Sequence, residues 1–143
     1  MNYIEARALR WISKYTSVEE TEIRYSNNTS PDFTAPDGQG FEIKHYFPPD
    51  RRIMIYPRQW LSLLQVPNCL ILIFGNGEEP DAIIPISALP FGTKRWHQFG
   101  IDCQETNRGS IPRDLYLEKL RIKTESRNKK AAGVLTNSLV AGS

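Results

Sequence analysis

Asp32, Glu42 and Lys44 are the residues whose types and spacing can do chemistry together. Between the two acids lies Pro36-Asp37-Gly38-Gln39-Gly40. Proline presets φ and glycine takes positive φ, so this is a turn with a mechanism. Asp32 to Ala35 and Phe41 to Tyr46 flank it as two strands of an antiparallel hairpin. With Asp37 at the turn centre, Asp32 faces Glu42 and Phe33 faces Phe41. Lys44 lies two residues beyond Glu42 and shares its face. The opposite face carries Phe33, Phe41 and Ile43, which can supply core. Directly opposed side chains have Cβ atoms ~5 Å apart. Two carboxylates that close repel unless a proton or a cation lies between them. A divalent metal is the natural solution, and Mg²⁺ prefers hard oxygens and retained water. A register slip of one residue would move Asp32 to the other face, while Glu42 and Lys44 share a face regardless. The plainer alternative is an ordinary exposed hairpin with a polar face.

The elements that must hold this hairpin are legible around it. Tyr3 to Tyr15 has helical spacing, with Ile4, Ala8, Trp11, Ile12 and Tyr15 on one apolar face. Glu5 is the misfit at the margin of that face. A carboxylate there is either paired or reaches out to water. Glu22 to Ser26 alternates as a short strand, and Arg52 to Tyr56 is a short strand or a loop. Pro57 opens a helix through Gln65 with Trp60, Leu61, Leu63 and Leu64 inward. Cys69 to Gly75 reads as a central strand buried on both faces. Ala82 to Ile86 is the next strand, placed near an edge by Pro85. Ile111 to Lys123 reads as a final helix. The order implies a mixed α/β fold.

Composition sets the frame. The 143 residues suit one domain. Hydrophobic residues are 40% and charged residues 24% of the chain, as in ordinary globular domains and unlike disordered ones. The longest apolar run, Cys69 to Phe74, is far short of the ~20 residues that span a bilayer. The N-terminal segment carries an acid and no apolar stretch of the signal-peptide kind. The expectation is therefore a cytoplasmic or nucleoid-associated protein, not a secreted or membrane one, with Cys69 and Cys103 as reduced thiols. Two histidines argue against zinc chemistry of the usual spacing. No Gly-x-x-x-x-Gly-Lys run is present, which argues against an NTPase. The net charge is only +2. It is uneven: residues 1–112 carry 11 basic and 13 acidic side chains, and residues 113–143 carry 7 and 3. The basic stretch of residues 111–130 is either an electrostatic footprint for phosphates or a solvated helix and tail. Residues 131–143 read as a flexible tail.

Ser30-Pro31-Asp32, nine residues, then Glu42-Ile43-Lys44 resembles the signature of the PD-(D/E)xK nucleases, the restriction-endonuclease-like superfamily. The element order resembles that core over residues 3–90. The resemblance implies a single nuclease domain over residues 1–130, with a mixed β-sheet flanked by helices. It implies Mg²⁺ or Mn²⁺ held by Asp32, Glu42 and the carbonyl of Ile43. Lys44 would position or activate the attacking water. Glu5 would be the helix acid that joins the site through a water or a second metal. The implied activity is metal-dependent hydrolysis of DNA phosphodiesters, by a Holliday-junction resolvase-like or compact restriction or homing nuclease. The alternative is a non-catalytic nucleic-acid-binding accessory protein with a degenerate site. One active site in so small a domain implies a homodimer or higher homo-oligomer for cutting both strands. Counting the site acids as metal-bound leaves the rest of the surface more positive than +2, which favours DNA as partner.

Further candidates remain open. Gln59 resembles the polar residue that some members carry on the helix after the motif, or is a plain surface residue. Arg51 and Arg52 could contact a DNA backbone or be a solvated pair. Lys94-Arg95-Trp96-His97 could grip a phosphate and stack on a base, or be a loop with one packed Trp. His45 points away from Lys44, as a packed or edge histidine.

Overall fold

A computed structural model describes residues 1–46, 52–88, 95–98 and 101–105, with Glu118, Arg121, Ile122 and Glu125; the side chains of Pro57, Trp60 and residues 95–98 and 101–105 are outside that description. The first helix, α1, spans Tyr3–Thr16. Asn2 caps it: its side chain accepts from the Glu5 N–H at 2.8 Å, and the Glu5 carboxylate accepts from the Asn2 N–H at 3.0 Å. This reciprocal box satisfies two of the unpaired donors of the first turn. The helix stops at Ser17, which takes a left-handed φ of 58°. Ile4, Ala8 and Ile12 are buried, as the apolar spacing requires, and Trp11 packs in part. Tyr15, at the end of that stripe, is exposed and stacks on Trp11.

The main sheet is five-stranded and mixed. It comprises β1 (Arg24–Tyr25), β2 (Phe33–Thr34), β3 (Gly40–His45), β5 (Leu70–Phe74) and β6 (Ala82–Pro85), side by side in that order. β1, β2 and β3 run antiparallel, β3 and β5 parallel, and β5 and β6 antiparallel. The crossover between the parallel pair carries β4 (Arg52–Ile55) and helix α2 (Pro57–Leu63). Pro85 lies in the last strand of the order, where a missing N–H costs least. The α/β class expected from the sequence is the class observed.

The hairpin turn works as its residues dictate. The Gly38 N–H donates to the Ala35 carbonyl, the Ala35 N–H to the Gln39 carbonyl, and the Asp37 carboxylate accepts from the Gln39 N–H. Gly38 takes φ +92°. That geometry sets the pairing of Phe33 with Phe41 and Thr34 with Gly40. The expected register is the observed one, but β2 and β1 are shorter than the stretches expected. Residues 20–22 form a 3₁₀ turn before β1, and Asp32 lies just before β2.

Two apolar layers cover the sheet. Phe33, Phe41, Leu72 and Phe74 meet α1 on one side. Ile71, Ile73 and Ile84 meet Leu61, Leu63 and Leu64 of the α2 segment and Ile53 and Ile55 of β4 on the other. Alternation along β5 thus feeds both layers, as its unbroken apolar run predicts.

A second sheet was not legible in the sequence. β4 pairs in parallel with β8 (Ile101–Glu105), which pairs antiparallel with β7 (Arg95–Gln98). Arg95, Trp96 and His97 therefore lie in a strand and not in the loop that their composition suggested. Their stretch shows little apolar alternation, and the sheet is completed by pairing of β8 with β4, which is far away along the chain. Arg51, Lys94 and the tail 131–143 lie outside the described residues. Of the expected final helix, Glu118, Arg121, Ile122 and Glu125 are described, and these are helical. Among the described residues no helix is long and apolar enough to cross a membrane.

A Cβ on Gly40 would sit 2.5 Å from Val66 Cγ1 and 2.9 Å from Pro31 Cγ. Gly40→Ala is therefore expected to destabilise the fold by about 1–3 kcal/mol. Urea unfolding checks this, and unchanged stability would show that the contact relaxes without cost.

Candidate functional site

Side-chain alternation along β3 sends Phe41 and Ile43 toward α1, and Glu42 and Lys44 toward α2. Glu42 is only 1% exposed, the one buried charged residue among those described. The Ser30 hydroxyl donates to its carboxylate at 2.7 Å. Asp32 comes in from the facing side of the hairpin. Its carboxylate accepts from the Ile43 N–H at 2.8 Å.

Extending the register from Phe33 and Phe41 puts Pro31 opposite Ile43. Proline has no N–H, so the Ile43 carbonyl loses its ladder donor there. The Ile43 N–H donates to the Asp32 carboxylate. A strand residue presents its N–H and C=O on the same side, so the Ile43 carbonyl faces that same open edge.

The Asp32 pKa is pushed up to about 8. Burial is the main cause, followed by a hydrogen bond to Glu42 and the Glu42 charge, with Glu5 adding to it; the Ile43 N–H works the other way. Asp32 is thereby biased toward its protonated form at neutral pH.

Lys44 donates to the Gln59 side-chain oxygen at 2.8 Å. Burial lowers its pKa, while Glu42 and Asp32 oppose that shift. Gln59 is the third residue of α2, and the same oxygen accepts from the Tyr56 N–H at 3.1 Å. That bond is the reach-back of a helix-capping residue. The helix start thus fixes the acceptor that aims the lysine.

Glu5 stands near the acidic pair but is engaged elsewhere. It closes the capping box of α1, which accounts for its odd place on the helix wheel. The Tyr25 hydroxyl donates to Asn27 at 3.2 Å, and its pKa is pushed up to about 12, chiefly by the Glu5 carboxylate. Tyr25 and Ser30 are site residues for which sequence reasoning found no role. The Ser30 contact to Glu42 exists only once the hairpin closes, and Tyr25 comes under the influence of Glu5 only in the folded chain.

The structure brings Asp32, Glu42, Lys44 and Gln59 together, with Glu5 at their margin. The other sequence candidates stand apart. His45 lies on the α1 side, edge-on to Tyr3 at 6.4 Å, with its pKa lowered by burial and by Arg7. Arg52 is exposed at the start of β4. Arg95 falls in β7. Arg121, in the basic stretch, is clasped by Glu118 at 2.6 Å and Glu125 at 2.7 Å. A cavity of about 490 Å³ opens between residues 27–30 and α2, with Asp32 and Gln59 on its wall.

No protein-family model, curated protein or solved structure matches this chain.

The raised pKa sets a pH dependence. Without metal, folded Asp32 keeps a proton that the unfolded chain loses near pH 4, so stability falls as pH rises from about 4 to about 8. Urea unfolding in EDTA across that range is expected to show the fall. Asp32→Asn is expected to flatten it; an equal slope in the variant would place the titration elsewhere.

Proposed function

We propose that this chain is a metal-dependent endodeoxyribonuclease of the PD-(D/E)xK type, with its mixed sheet arranged in the restriction-endonuclease-like manner. The observation that carries the reading is the buried Glu42 beside the half-buried Asp32, with Lys44 two residues on, all converging on the side of the sheet that faces α2. Such a pair is poorly placed as a structural feature, because burying like charges is costly.

The donor set fits a hard cation. Among the described residues, no three His, Cys, Asp or Glu side chains form a metal-holding group. Two carboxylates and the Ile43 carbonyl remain, with other positions left to water. Mg²⁺ and Mn²⁺ accept such oxygen sets, whereas zinc favours nitrogen and sulfur. A bound divalent cation would lower the pKa of water and offset charge on the phosphate. Asp32 and Glu42 would hold it, the charge of the cation replacing the proton on Asp32. Lys44 would orient the attacking water and balance the charge developing on the phosphate oxygens. Gln59 keeps that ammonium aimed. Glu5, held by Asn2, would act on a water at the edge of the site.

The substrate class is DNA, and the resolvase-like and compact restriction or homing types both suit a small chain with one such site. Cutting both strands would take two copies related by a two-fold axis. The accessory reading corresponds to DNA binding that never leads to cutting.

Incubation with linear duplex, single-stranded and four-way-junction DNA tests the reading. Cutting is expected with Mg²⁺ or Mn²⁺ and not with EDTA. Asp32→Asn, Glu42→Gln and Lys44→Ala are each expected to slow it by about 10²–10³-fold or more. Glu5→Gln is expected to have a smaller effect. Full-rate cutting by Asp32→Asn would overturn the assignment. Binding without cutting over several metals would favour the accessory protein.

A further inference from the structure

The cavity beside the acidic pair shares Asp32, Ser30 and Gln59 with the site described above, while Asn27, Asn28, Thr29, Arg58 and Ser62 have no part in that chemistry. Ser30, Asp32 and Gln59 line it on the side of the site, and its other walls come from two elements: Asn27, Asn28 and Thr29 ahead of the Pro-Asp pair, and Arg58 and Ser62 on α2. Its volume of about 490 Å³ lies in the range of small-ligand sites, roughly 300–1,000 Å³. The lining is carboxamide, hydroxyl and guanidinium, and no aromatic ring belongs to it among the described residues. Pockets that take a nucleobase stack it on aromatic rings. Phosphate and sugar oxygens are bound by Arg, Ser, Thr and Asn. Asp32 is the one acid on the wall, and it belongs to the proposed cation site.

We propose that this cavity seats the sugar–phosphate of the nucleotide next to the cleaved bond, with Arg58 on its phosphate and Asn28 and Thr29 on its oxygens. The inference rests on the nuclease reading and extends it: the strand is gripped through its backbone, so recognition at this position is independent of base sequence. Residues 27–30 and the exposed face of α2 form the two sides of the grip. Because Ser30 also holds Glu42, a strand seated there lies directly beside the acidic pair.

Binding is measured with the full-length Asp32→Asn chain in EDTA, which keeps the DNA intact. The probes are labelled single-stranded and duplex oligonucleotides of several unrelated sequences. Adding Arg58→Ala is expected to weaken every sequence alike, by roughly tenfold. The slope of log affinity against log salt is expected to fall by about 0.9 on duplex, the loss of one phosphate contact. Arg58→Lys is expected to restore the slope, and Asn28→Ala to weaken binding while leaving it unchanged. Unchanged affinity and slope in Arg58→Ala would overturn the proposal, as would a loss that depends on base sequence. Wild-type cleavage is followed separately. Cutting with no Arg58 effect sinks the cavity assignment alone. The expected Arg58 effect without wild-type cutting sinks the hydrolytic reading alone. No binding by the starting chain sinks both.

Discussion

The structure turns on one unfavourable contact, two carboxyl groups pressed together at the edge of a β-hairpin. Nothing in folding rewards the burial of Glu42 beside Asp32. The chain therefore supplies compensation from several directions. Ser30 gives Glu42 a hydroxyl, the Ile43 N–H gives Asp32 a donor, and a pKa raised far above the usual carboxylate range biases Asp32 toward its protonated form. Each of these depends on the hairpin register, and the register depends on the Pro36-Asp37-Gly38 turn.

Pro31 is the pivot of this arrangement. It removes one donor from the β2–β3 ladder and leaves the Ile43 carbonyl without its strand partner. Beside that carbonyl the Ile43 N–H is bonded to the Asp32 carboxylate. Gly40 belongs to the same device, because it leaves room for the Pro31 ring and for Val66 against the start of β3.

Both helices serve the site through their first turns. Glu5 and Gln59 occupy the same capping position of α1 and α2, three residues after the residue each reaches back to. Helix capping alone would satisfy either residue. The tertiary fold gives Gln59 a second partner in Lys44 and brings Tyr25 under the influence of Glu5. Residues that begin as local helix chemistry thereby become parts of the polar constellation. The apolar layers do the complementary work: α1 and the α2–β4 layer clamp β3 and β5 from both sides.

What the sequence by itself determined was local. The spacing of Ile4, Ala8 and Ile12 made a helix, the Pro-Asp-Gly turn set a register, and the apolar run at Cys69–Phe74 made a buried strand. Period-two alternation then put Glu42 and Lys44 on one face and brought Asp32 opposite. These features are legible because they follow from bonds and sterics within a few residues. Only the tertiary structure decided the rest. It gave Glu42 its burial and its Ser30 partner, and it brought Tyr25 under the influence of Glu5. It also aimed Lys44 at Gln59 and paired β4 with β8 in a second sheet. Those outcomes join segments distant along the chain, and no local pattern carries the shape of the surface that a residue will meet. The chemistry of the site is written in residue types, but proton affinity depends on desolvation and neighbouring charge, which exist only once the layers have closed.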